Sequence, residues 1–112
     1  MHTWYYDNDY KIYEADAEFV DFERVYCLDF SSFTEENWND LEQIYNKLPG
    51  TRYLKGVPYW FGVDENEPPY LWVSVEPPGL QVVGVLLLND WLKWDESFRN
   101  QVEASSLPTY ET

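Results

Sequence analysis

Histidine and cysteine carry most acid–base and nucleophilic chemistry near neutral pH, and this chain has one of each, His2 and Cys27. A Ser-His-Asp or Cys-His pair works only if the fold holds the imidazole in place, and His2 belongs to an end expected to be mobile. Cys27 alternates with Asp21, Glu23 and Asp29. Anions beside a thiol raise its pKa instead of activating it. One cysteine excludes an intramolecular disulfide, and one Cys with one His gives poor support for a zinc site. That leaves 21 Asp and Glu. Asp7-Asn8-Asp9 and Asp64-Glu65-Asn66-Glu67 are the clusters suited to a hard cation. Neither continues into the loop glycine and terminal glutamate of a calcium hand, so both read as solvated turns and no metal is expected.

Other chemistries fare no better. The 5 glycines are scattered, so no phosphate-cradling loop exists. Paired carboxylates beside aromatic platforms suit glycoside hydrolysis. Among so many acids, however, such pairs arise by chance, and a chain of 112 residues has little room for a deep cleft. The expectation is a protein without catalysis or cofactor.

Charge and rings are the stronger signals. A net charge of −14 repels phosphate backbones and anionic lipid and attracts a basic partner. Direct nucleic-acid and membrane binding are therefore not expected. No apolar run reaches the ~18–20 residues that cross a bilayer, and no signal sequence follows Met1, so a cytoplasmic setting is expected. Trp, Tyr and Phe make up 20% of the chain, more than one small core hides. Trp and Tyr are also the residues that dominate interface hot spots.

These groups must be positioned by local elements. Residues 80–88, Leu-Gln-Val-Val-Gly-Val-Leu-Leu-Leu, lie between Pro77-Pro78-Gly79 and Asn89-Asp90. A short run that is apolar on both faces predicts a central strand. Residues 19–30 alternate, with Val20, Phe22, Tyr26, Leu28 and Phe30 on one face and Asp21, Glu23 and Asp29 on the other. Arg24 falls on the apolar face, which suggests a bulge or strand end near it. Residues 10–15 suggest an edge strand and Glu14, Asp16 and Glu18 a turn.

Thr34 can cap a helix with Glu35 and Glu36 in its first turn. Phe33 and Trp38 have the spacing of a hydrophobic staple. Trp38, Leu41, Ile44 or Tyr45, and Leu48 form its stripe, and Pro49-Gly50 ends it. Residues 51–57 read as a loop or short strand within the one locally basic segment, which holds Lys47, Arg52 and Lys55. Residues 59–63 and 70–76 read as strands. In the latter Leu71, Val73 and Val75 oppose Tyr70, Trp72, Ser74 and Glu76. Asn89 can cap a second helix striped by Trp91, Trp94, Phe98 and Val102.

The expected fold is α+β: an antiparallel sheet of four to five strands with two helices, in the order β-β-α-β-β-β-α. It forms one domain over residues 1–112, with 1–9 and 105–112 flexible.

The function expected is that of a protein-binding module in which acids framing an aromatic patch occupy a basic surface of a partner protein. Small inhibitors of immunity or anti-defence type share this character in composition. The residues expected to carry it are Glu35, Glu36, Asp40, Asp64, Glu65, Glu67, Tyr70 and Trp72. Two alternatives use the same aromatics: a structural homo-oligomer such as a homodimer, and a small-ligand or carbohydrate module with Trp and Tyr platforms.

Overall fold

A computed structural model describes residues 3–12 and 18–112. The expected turn at Glu14 and Asp16, the end of the 10–15 strand and His2 lie outside the described residues. The elements run β1 (Tyr5–Ile12), β2 (Phe19–Tyr26), α1 (Glu35–Lys47), β3 (Thr51–Leu54), β4 (Val57–Trp60), β5 (Tyr70–Glu76), β6 (Gly79–Leu87) and α2 (Leu88–Glu103). The strands form one six-stranded antiparallel sheet in the order β1-β2-β6-β5-β4-β3.

The apolar run is an interior strand, as its two-faced pattern requires: β6 pairs with β2 on one side and β5 on the other. Its register sets both faces of the sheet. Leu86, Gly84, Val82 and Leu80 stand opposite Val20, Phe22, Arg24 and Tyr26 of β2. Leu71 and Val73 of β5 share that face through Gly84 and Val82, and Trp60 joins it through Leu71. Both helices pack here. Leu41, Ile44, Trp91, Trp94, Phe98 and Val102 complete the buried core. Phe22 stacks on Trp91 at 3.8 Å, Trp94 on Phe98 at 5.2 Å, and Trp60 meets Trp94 edge-on at 5.5 Å. Gly84 makes room for this stack: a Cβ there would fall 2.5 Å from the Tyr70 carbonyl oxygen and 2.9 Å from the Phe22 ring.

α1 forms as its local signals dictate. The Asn37 N–H donates to Thr34 Oγ1 at 3.2 Å, and the Thr34 N–H donates to Asn37 Oδ1 at 2.9 Å. This reciprocal box satisfies two otherwise orphaned donors. The staple closes beside it, with the Phe33 and Trp38 rings 4.8 Å apart.

Four expectations are corrected. The sheet has six strands, not four to five, because residues 51–57 form β3 and the turn of a hairpin with β4. Lys55 and Gly56 turn it with φ of 53° and 81°, the left-handed pair that matches sheet twist. The strand read at 59–63 is Val57–Trp60 and stops where Phe61 takes a φ of 70°. The order is therefore β-β-α-β-β-β-β-α.

Asn89 does not cap α2. The helix starts at Leu88, straight out of β6, and no side chain caps it. The Leu88 N–H instead donates to the Glu18 carbonyl at 3.1 Å, so the residue just before β2 satisfies one donor of the helix start. Both ends of the described residues make backbone contacts. Residues 5–9 belong to β1, and Thr109 bridges Leu28. The Asp29 N–H donates to Pro108 O at 2.9 Å, Tyr110 N–H to Cys27 O at 3.0 Å and Thr112 N–H to Thr3 O at 2.9 Å.

Candidate functional site

Because both helices use one face of the sheet, no described helix or strand covers the other. Its composition follows from the register. Asp21 stands opposite Val85, and Val85 opposite Tyr70. One row along, Glu23 stands opposite Val83, and Val83 opposite Trp72. β2 thus contributes a carboxylate column, β6 a valine column and β5 an aromatic column, side by side. Tyr59 extends the aromatic side on β4 and Phe19 the end of β2. At the other edge Asp9 lies beside Glu23 and Lys11 beside Asp21, with Lys11 Nζ 3.9 Å from Asp9 Oδ2. Tyr70, Trp72, Tyr59, Phe19 and Val83 are half-buried. Val85 and Val25 are buried, yet stand outside the helix-side core. At one end Tyr110 of the C-terminal tail reaches across, its hydroxyl donating to the Pro78 carbonyl.

The residues expected to form the site divide between the two sides of the sheet. The alternation of β5 put Tyr70 and Trp72 opposite Leu71 and Val73, and the packing of both helices on the latter side leaves the Tyr70 and Trp72 face without a described helix. Asp64, Glu65 and Glu67 occupy the turn that leads into β5 at the Tyr70 end of that face. The turn is held by Asn66 N–H donating to Asp64 Oδ1 at 2.9 Å and Glu67 N–H to Asp64 O at 3.1 Å. Glu35, Glu36 and Asp40 are on α1, across the sheet from Trp72. Asp40 lines a shallow cleft there with Gln43, Lys47 and Gln101. The carboxylates in register with the aromatic column are Asp21 and Glu23. The outward alternation of β2 identified them as solvent-facing. What sequence order hid is that β2 pairs with the other edge of β6.

A second polar cluster lies on the helix side and resolves the anomaly of Arg24. Its Nη1 donates to Asp95 Oδ1 at 2.8 Å, and its Nε to Asp7 Oδ1 at 2.7 Å. Asp95, 6% exposed, also accepts from the Tyr26 hydroxyl at 2.5 Å and from Arg99 Nε at 3.1 Å. The Arg24 guanidinium lies 5.0 Å from the Tyr5 ring centroid and 5.1 Å from that of Trp91. A bulge does occur opposite it, between Asp7 and Asp9 of β1. Burial works against the Arg24 charge, but Asp7, Tyr26 and Asp95 outweigh it and hold its pKa above the ordinary value. Two guanidinium groups and a phenol thus bond to the oxygens of Asp95.

Burial, reinforced by Asp95, pushes the Tyr26 phenol well above 10.0. Burial does the same to Tyr45. An unfolded chain releases these protons near the ordinary value, whereas the native protein keeps them. Their contribution is therefore intact below about pH 10 and is lost as pH rises above it. Alkaline titration followed at 295 nm should show these phenolates appearing together with loss of circular dichroism. Tyr26→Phe and Tyr45→Phe should each remove part of that late absorbance. Phenolates from both at pH 10.5 in a fully folded protein would contradict the burial.

Cys27 is buried, and burial raises its thiol pKa. Among the described residues no group of three or more His, Cys, Asp or Glu is arranged to hold a metal ion, and no helix is long and apolar enough to cross a membrane. No family model matches this chain, and no curated protein or solved structure matches it significantly.

Proposed function

We propose that this protein is a binding module without chemistry of its own, which docks a basic surface of a partner protein on the uncovered face of its sheet. The observation that carries the reading is the three-column register: Asp21 and Glu23, then Val83 and Val85, then Tyr70 and Trp72. Neighbouring strands are about 4.8 Å apart, so the acid and aromatic columns are separated by about 10 Å. A lysine or arginine at the acids and an apolar side chain at the rings fit that spacing. Acids accelerate encounter and rings slow departure.

The charge supports the same reading. Arg24 and Arg99 are turned inward to Asp7 and Asp95, which leaves 5 of the 7 Lys and Arg residues to offset the remaining acids. The role that fits is an inhibitor or sequestering protein of immunity or anti-defence type.

The test compares two double charge reversals that alter net charge equally, Asp21→Lys/Glu23→Lys and Glu35→Lys/Glu36→Lys. Each serves as bait beside the wild type at low salt. A partner held by the wild type and by the α1 variant, but released about tenfold faster or captured about tenfold more slowly by the sheet variant, supports the face. Equal loss in both variants overturns it in favour of unspecific attraction. A concentration-dependent dimer abolished by Trp72→Ala would assign the face to a second copy instead.

A further inference from the structure

On the helix side, α1 and the β3–β4 hairpin enclose a groove of about 320 Å³. Trp38, Glu42 and Tyr45 line it from the helix, Tyr53 and Pro58 from the hairpin, and Val75 from β5. Three of these side chains are unusually open for their type: Trp38 is 42% exposed, Tyr53 48% and Val75 51%.

The rings are nonetheless fixed. Trp38 stacks on Phe30 at 5.2 Å with 4° between planes and meets Phe33 at 4.8 Å. The Tyr53 hydroxyl donates to Asn46 Oδ1, and Tyr45 meets Trp60 edge-on at 5.3 Å. Rings already held in place lose little freedom when something docks on them. Glu42 follows Trp38 by four positions and Glu35 precedes it by three, so both carboxylates flank the indole on one helical stripe. Neither has a hydrogen bond or ion pair among the described residues.

We propose that this groove receives a cationic side chain, arginine or lysine, from an exposed segment of a partner protein. Its charge lies over the faces of Trp38 and Tyr53 with Glu42 as counter-ion, and its methylene stem lies along Pro58 and Val75. An anion would meet Glu42, Glu35 and the field of a chain with net charge −14. A neutral apolar side chain would bury Glu42 without a partner. A guanidinium has the further advantage of stacking flat on the indole. Lys55 stands in the hairpin turn but is not among the residues lining the groove. The groove and the Trp72 face are on opposite sides of the sheet, so either assignment can fail without the other.

The test is an NMR titration of the intact protein with the tripeptide amides acetyl-Gly-Arg-Gly, acetyl-Gly-Lys-Gly and acetyl-Gly-norleucine-Gly. The two cationic peptides should shift the Trp38 indole N–H and neighbouring groove signals saturably, and the norleucine peptide should not. Glu42→Gln, an exposed change that leaves the core intact, should weaken binding about three- to fivefold. Trp38→Leu should abolish it, and Trp72→Ala should leave it unchanged. Equal shifts with norleucine, an unaltered affinity in Glu42→Gln, or perturbations confined to other surfaces would each overturn the proposal.

Discussion

Asp95→Ala should destabilise the protein by about 3–5 kcal/mol, the largest effect expected from removing a single polar group. Asp95 accepts from Arg24, Tyr26 and Arg99 at once. Its removal leaves the Arg24 guanidinium facing the Tyr5, Tyr26 and Trp91 rings with Asp7 as its remaining counter-ion. The Tyr26 hydroxyl is fully buried and would lose its acceptor. A largely buried cation that loses one of its two carboxylates is worse than no charge there. Arg24→Met in the Asp95→Ala background should therefore recover a good part of the loss, because it removes the stranded cation. Urea unfolding monitored by tryptophan fluorescence measures both variants. A loss below about 1 kcal/mol, the scale of an exposed ion pair, would show that the cluster is not sealed from water.

Trp72→Ala should weaken partner binding about thirtyfold or more, roughly 2 kcal/mol, and chiefly by speeding dissociation. The indole is half-buried on its own face, beside Val83, so truncation should change folding stability by no more than about 1 kcal/mol. The contrast with Trp94 is instructive. That ring is completely buried against Trp60, Trp91 and Phe98, and its loss would act on folding by about 3–5 kcal/mol. Surface plasmon resonance separates the two columns of the face. Trp72→Ala should raise the dissociation rate with little change in salt dependence. The Asp21/Glu23 reversal should lower the association rate and flatten its dependence on salt. Unaltered dissociation after Trp72→Ala would remove the ring from the interface.

Residue types and local spacing were enough to specify α1, the interior position of residues 80–87, the stripe of α2 and the α+β class. Each depends on neighbours a few residues apart: a Thr34 cap with Glu35 and Glu36 behind it, a Phe33–Trp38 staple, an apolar run between Pro77-Pro78-Gly79 and Asn89-Asp90. The hairpin of β3 and β4 was less legible because its turn is Lys55-Gly56 instead of the Asn-Gly or Asp-Gly that marks such turns. Asn89 was misread as a cap because nothing local reveals that Glu18 would supply an acceptor to Leu88.

The site itself was decided by tertiary structure. Alternation alone put Tyr70 and Trp72 on one face of β5 and Asp21 and Glu23 on one face of β2. It could not say that β6 would slot between those strands, or that both helices would pack on the same side. Nor could it find the partner of Arg24, since Asp95 is 71 positions away. Side-chain periodicity within a strand is fixed by backbone geometry and is written in the local sequence. Which strands become neighbours depends on contacts between segments far apart in the chain, settled only when the whole core closes.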